Sequence, residues 1–282
     1  MSNEARQPRR SAERVAGPDD TLWAQRRPAR NSDAGRMLRA LCGRAGRIIA
    51  DYRLIGEGDR VLCALSGGKD SATMLEVLLA LRAKAPVRFT LAAIVVQPGF
   101  TGFDAGAVAG FAADRGVESY RVDADILDTM NELGWKAAPC ALCSRLRRGV
   151  LYRVAAELGY NRLALGHHGD DAIETALLNM FFSGQLRAMA PRLKPEPPAP
   201  VVIRPLLGSF EAEVAAYARA RKLLAVDIAC PLCDVSMDSE RKAVKHLLIE
   251  LATDHPNIRS SLLASLGNVD AKSLMDQRLT RR

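Results

Sequence analysis

No stretch of this sequence stays apolar for long. The longest such run, around Leu91 to Val96, is far short of the ~20 residues that a membrane-spanning helix needs, which excludes a transmembrane reading. The first thirty residues are rich in Arg and Pro and lack the apolar centre of a secretory signal, so a cytoplasmic protein is expected. Internal repeats are absent. So are the GxxxxGK(S/T) loop and the GxGxxG fingerprint that most often mark phosphate binding. Cysteine is sparse, at six in 282 residues, and a disulfide framework is not expected in a reducing compartment. What is present is ordinary globular material, 48% hydrophobic and 26% charged, which excludes a fibrous or largely disordered chain. The length allows one large domain or two modest ones.

Positive charge is concentrated at one end. Residues 1–53 carry twelve Arg and six acids, a surplus of +6 out of the +8 for the whole chain. Such a segment suits a phosphate-rich partner, because cations that neutralise nucleic-acid phosphates release condensed counterions. A solvated tail that keeps the protein soluble is the plainer alternative. Residues 1–32 show little apolar periodicity and are expected to be a disordered basic arm.

From Asp33 the pattern is helical, with Met37, Leu38, Leu41, Ala45, Ile48 and Ile49 on one face. Arg60–Leu65 reads as a buried strand, followed by Ser-Gly-Gly-Lys-Asp-Ser and a helix through Leu81. Strands at Phe89–Val96, Val117–Val122, Arg162–Leu165 and Val201–Arg204 alternate with helices at Asp104–Arg115, 144–159, Asp170–Phe182 and Phe210–Arg221. Cys140 and Cys143 fall in a less regular segment before 144, and prolines 195, 197, 198 and 200 mark a surface loop. Helices at Ser239–Thr253 and Pro256–Leu266 close the chain. This alternation predicts an α/β fold, a parallel sheet flanked by helices, with ligands at the carboxyl ends of the strands. The expected parts are the arm at 1–32, a loop-bearing domain at 33–225, and a C-terminal helical segment at 226–282 with the second cysteine pair.

Ser66-Gly67-Gly68-Lys69-Asp70-Ser71 lies where a strand passes into a helix, and free backbone N–H groups and the helix dipole favour phosphate there. Gly67 and Gly68 permit the tight turn and a close backbone approach. Ser66 and Ser71 offer hydroxyls, Lys69 a cation for phosphate, and Asp70 a carboxylate for Mg²⁺. The hexapeptide resembles the SGGxDS loop of the PP-loop ATP-pyrophosphatases. That resemblance implies an adenine nucleotide alpha hydrolase-like fold, cleavage of ATP between the α and β phosphates, and adenylation of a carbonyl oxygen, with Lys69 and Asp70 as the catalytic pair.

Cys42 and Cys63 stand alone and read as small core residues. The other four form Cys140-Ala-Leu-Cys143 and Cys230-Pro-Leu-Cys233. Two such pairs can complete one metal centre, and a structural zinc, an iron–sulfur cluster and a redox or persulfide-carrying pair all fit the spacing. Their wide separation, unlike a zinc ribbon's, suggests a centre assembled by the tertiary fold.

Together with Gln97-Pro98-Gly99-Phe100, the run Cys140 to Gly149, Leu165-Gly-His-His-Gly-Asp-Asp171, Leu178-Asn-Met-Phe-Phe182 and Ile203-Arg-Pro-Leu206, these motifs resemble the tRNA 2-thiocytidine synthetase family, in its order from about residue 35 to 255. The resemblance implies ATP-dependent replacement of the C2 oxygen of cytidine 32 of tRNA by sulfur, a [4Fe-4S] cluster on Cys140, Cys143 and Cys230, and sulfide from a cysteine desulfurase, with Cys233 nearby but not a ligand. It also implies nucleotide or Mg²⁺ contacts from Gly166, His167 and Asp170, although an Asp capping a helix N-terminus explains the last locally. Arg145, Arg147, Arg148 and Arg153 either meet tRNA phosphates or form a solvated helix face. A homodimer is compatible with the sequence. Two other readings share these motifs: a zinc-bearing thiouridine synthetase or ligase with the same loop, and a paralogue that docks on RNA without turning over.

Overall fold

The central strand Arg60–Leu65 buries Val61, Leu62 and Cys63 completely. Its alternate residues serve different cores: Val61, Cys63 and Leu65 join one apolar cluster and Leu62 the other. The neighbouring strand divides in the same way, with Leu91, Ala93 and Val95 on one side and Ala92, Ile94 and Val96 on the other. A strand covered on both faces must be apolar at successive positions, which is why these segments read as continuous hydrophobic runs.

The computed structural model describes residues 12–99, 102–134, 139–196, 198–223 and 239–277. In chain order the elements are β1 (Glu13–Ala16), α1 (Asp20–Arg26), α2 (Asp33–Asp51), β2 (Arg60–Leu65), α3 (Lys69–Arg82), β3 (Thr90–Gln97), α4 (Ala105–Ala113), β4 (Glu118–Asp123), α5 (Ile126–Glu132), α6 (Pro139–Glu157), β5 (Arg162–Ala164), α7 (Gly169–Ser183), β6 (Arg192–Leu193), β7 (Val201–Ile203), α8 (Glu211–Arg221), α9 (Ser239–Asp254) and α10 (Ile258–Ser265). A 3-10 turn at Pro205–Gly208 precedes α8.

Two units make up the chain: residues 1–168 with 190–237, and residues 169–189 with 238–282. The first holds a seven-stranded sheet in the order β1-β4-β3-β2-β5-β7-β6. Its five inner strands pair in parallel, and β1 and β6 close the edges antiparallel to β4 and β7. Residues of α2, α3, α4 and α8 build the core on one face, and those of α5 and α6 the core on the other. From β2 the chain proceeds outward to β3 and β4, then returns to place β5 and β7 on β2's other side. The direction reverses between β2 and β5, and the carboxyl ends of those two strands flank the crevice where such sheets bind ligands.

In the second unit, α7 packs on α9 and α10. Ala172, Ile173 and Ala176 of α7 are buried, as are Val244 and Leu248 of α9. The units therefore divide differently from the expected boundary at 225, because the buried face of α7 belongs with the C-terminal helices.

The disordered arm expected at 1–32 is corrected over residues 12–32. Here β1 supplies the hydrogen-bonding edge that β4 would otherwise present to solvent. Trp23 of α1 is 6% exposed and joins the core, and the Asp19 N–H donates to the Gly116 carbonyl at 3.0 Å. One buried aromatic anchors a segment whose Arg and Pro content conceals it. Residues 1–11 lie outside the described residues, as do Phe100, Cys230, Cys233 and the Cys140 side chain. Two further differences concern helices: α5 was not anticipated, and α6 begins at Pro139, so the first CxxC lies in its opening turn rather than in an irregular segment. Proline is well placed at a helix start, where its missing N–H has no helical partner.

Candidate active site

The loop between β2 and α3 turns at Gly67, whose φ of +81° an L side chain rarely adopts. Two serines brace it. The Ser66 N–H donates to Ser71 Oγ at 3.1 Å, the hydroxyls of Ser66 and Ser71 are 3.2 Å apart, and Ser71 Oγ donates to the Gly68 carbonyl at 3.0 Å. Gly68 is the N-cap of α3 and brings no side-chain acceptor to its first turn. The positive end of a fourteen-residue helix thus begins beyond the carboxyl end of β2 with no N-cap side chain on its free N–H groups, and Asp70 is the acid of its first turn.

The segment after β5 runs directly against this loop. A β-carbon on Gly166 would lie 2.8 Å from the Ser71 nitrogen and 3.0 Å from the Asp70 carbonyl carbon. Glycine at 166 therefore serves close backbone approach, and its signal in the sequence is this packing requirement. His167 is half-buried and His168 buried.

Lys69, the first residue of α3, has its Nζ 3.1 Å from Glu211 Oε1 and 3.2 Å from Asp70 Oδ1. Partial burial lowers its pKa, but Asp70 and Glu211 together outweigh that and hold the ammonium above the usual lysine value. Sequence reasoning missed Glu211, which opens α8 and lies 142 residues from Lys69. Only the fold joins them. The turn that carries it is fixed by Glu213, which accepts the Phe210 N–H at 3.0 Å and pairs with Arg44 at 2.6 Å.

The remaining expected residues are placed as follows. Asp170, buried in the first turn of α7, belongs to the second unit, where it pairs with Arg259 of α10. Beside it, buried Glu174 meets Arg241 at 3.4 Å and Lys245 at 3.7 Å. Burial raises the Glu174 pKa against the pull of Lys245 and Arg241. Positions 140 and 143 are one helical turn apart in α6, which puts them on one face. Cys143 is half-buried against the second core and is not in a disulfide. Thiol donors at that spacing suit an iron–sulfur or soft-metal centre. Among the described residues no group of three His, Cys, Asp or Glu side chains is gathered for a metal ion. Burial pushes the thiols of Cys42 and Cys63 up to about 11 and about 12, as expected of core cysteines. On α6, Arg148 Nε donates to the Ser144 carbonyl at 3.3 Å and Arg153 lies 3.9 Å from Glu157, while Arg145 is exposed and Arg147 half-buried.

No helix among the described residues is long and apolar enough to cross a membrane.

Residues 44–227 match the PP-loop domain family. The chain is 43% identical over 240 residues to a tRNA-cytidine(32) 2-sulfurtransferase of Geobacter sulfurreducens, a match that covers 84% of this chain and 92% of that protein. A protein of the same name from Geobacter metallireducens is 44% identical over equal shares. Among solved structures, the U34-tRNA thiolase NcsA from Methanococcus maripaludis with its [4Fe-4S] cluster is similar, with a TM-score of 0.69 and 26% identity over 83% of this chain and 79% of that one. With the loop at the sheet's reversal point, and with likeness of this extent and identity, the chain belongs to the tRNA-cytidine(32) 2-sulfurtransferase family of PP-loop proteins.

Proposed function

We propose that this chain is an ATP-dependent tRNA thiolase that replaces the C2 oxygen of a cytidine, at position 32, with sulfur. The observation that carries this is the glycine loop at the mouth of the β2–β5 crevice, set against Gly166, in a chain of this family. The C2 oxygen attacks the α phosphorus of ATP, an O–P bond forms, the α–β phosphoanhydride breaks and pyrophosphate leaves. A sulfide equivalent then adds at C2, the C–O bond breaks, and AMP departs with the original oxygen. A poor leaving group has become a good one.

Ser66, Gly67, Gly68 and Ser71 cradle the departing pyrophosphate through backbone N–H groups and hydroxyls, and Lys69 neutralises its growing charge. Asp70 would hold Mg²⁺, which would offset phosphate charge. Gly166 and His167 border the nucleotide, and Asp170 follows them in the chain. A [4Fe-4S] cluster on Cys140, Cys143 and Cys230 would present sulfide to C2, with a cysteine desulfurase as its source. The arginines of α6 meet tRNA phosphates. This reading sets the protein in the cytoplasm, and a homodimer is compatible with it.

Mass spectrometry of tRNA nucleosides from cells with and without the gene tests the reading. Loss of 2-thiocytidine on deletion, restored by the intact gene, is expected; an unchanged nucleoside profile would overturn it.

A further inference from the structure

Two carboxylates, Asp70 and Glu211, converge on the Lys69 ammonium, and only Asp70 belongs to the loop motif. An ammonium has three donors, so a phosphate entering the loop meets a lysine whose charge is already countered from outside the motif. Coulomb repulsion between the Glu211 carboxylate and a polyphosphate acts whether or not Lys69 keeps its hydrogen bond to Glu211. The geometry fixes Glu211 for this purpose, since the Glu213 carboxylate ties down the same helical turn through the Phe210 N–H and Arg44.

We propose that Glu211 is a positioning residue that acts through Lys69, limiting how tightly the loop holds polyphosphate so that pyrophosphate leaves after adenylation. The inference rests on the nucleotide-site reading above and adds to it a residue that sets product release. A cradle made of helix N-terminus, glycine N–H groups and a full lysine charge would retain its own product. The carboxylate at the start of α8 weakens that hold.

The test is calorimetric titration of the full-length protein with inorganic pyrophosphate and with ATP, each with Mg²⁺, in wild type, Glu211→Gln and Glu213→Gln. Glu211→Gln is expected to tighten pyrophosphate binding on the order of fivefold to tenfold. A tighter constant is a gain that structural damage does not produce. Glu213→Gln removes the same charge two residues further into the turn while keeping an amide that can cap it, and is expected to change the constant less than twofold. An unchanged or weaker constant in Glu211→Gln, or equal tightening in both variants, overturns the role given to Glu211. Wild-type protein that binds neither ATP nor pyrophosphate overturns the nucleotide-site reading and this proposal with it.

Discussion

Gly166 and Ser71 approach so closely that a single added methyl group would lie 2.8 Å from the Ser71 nitrogen. The obstacle is backbone on a helix start, which cannot rotate away as a side-chain tip can. Gly166→Ala should displace the first turn of α3 and with it the serine-braced loop. The expected result is ATP binding weakened at least tenfold, about 1.4 kcal/mol, with thermal stability lowered by a few degrees at most. Titration calorimetry and a thermal melt check the two together, and undiminished ATP affinity would show that the loop does not depend on this contact.

Trp23 tests the N-terminal strap. Truncating a buried aromatic costs about 3–5 kcal/mol, and Trp23 is 6% exposed within the core. Trp23→Ala should lower the free energy of unfolding in urea by about 3 kcal/mol. A change below about 0.5 kcal/mol is what an unanchored tail would give.

Glu76 is fully buried in α3 and holds three partners together. Arg115 approaches its Oε1 at 2.7 Å, Arg221 lies 3.1 Å from both oxygens, and the Tyr217 hydroxyl donates to Oε2. Desolvation makes such a network weak evidence of net stabilisation, yet removing one member leaves the others uncompensated. Glu76→Ala should therefore destabilise by about 3–5 kcal/mol. The double variant Glu76→Ala with Arg115→Met should lose less than the two single losses combined, as denaturant unfolding of the full cycle would reveal.

Glu174 carries a pH signature. Burial raises its folded pKa above that of the unfolded chain, so between those two values the folded state holds more protons. Stability from this group falls as pH rises through that window and is recovered on acidification. Relative to Glu174→Gln, wild type should gain stability as pH is lowered through the folded pKa toward that of the unfolded chain. Denaturant melts across pH would show the opposite slope if the Arg241 and Lys245 pairs outweighed burial.

The cluster assignment separates the four paired cysteines. Cys143→Ser is expected to lose iron after anaerobic reconstitution, whereas Cys233→Ser keeps it. Iron and acid-labile sulfide assays, with visible absorbance, read the difference, and equal iron in both variants would overturn the assignment of ligands.

The strand, loop and helix that carry the candidate site were legible because their signals are local. The apolar run ending at Leu65, the glycines at 67 and 68, and the helical pattern from Met74 lie within twenty residues of one another. Glu211 was invisible for the opposite reason: nothing about an acid in the first turn of a helix distinguishes a dipole partner from a lysine's counter-ion 142 residues away. The strap is hidden from average composition, because its ordering depends on where one tryptophan falls. The opening turn of α6 is hard to read from sequence because two cysteines flank its Ala141 and Leu142, and a proline at the first helical position, favourable there, more often signals a break.

The alternation along β2 has one more effect. Since odd positions fill one core and even positions the other, sliding this strand by one residue would exchange Leu62 with its neighbours between two differently shaped interiors. Small shifts of the strand are forbidden and large ones are ruinous. The distance from Ser66 to the β5 exit is consequently a digital quantity, set in whole-residue steps by the sheet's registry, and evolution can retune the crevice through its side chains but not by letting its floor creep.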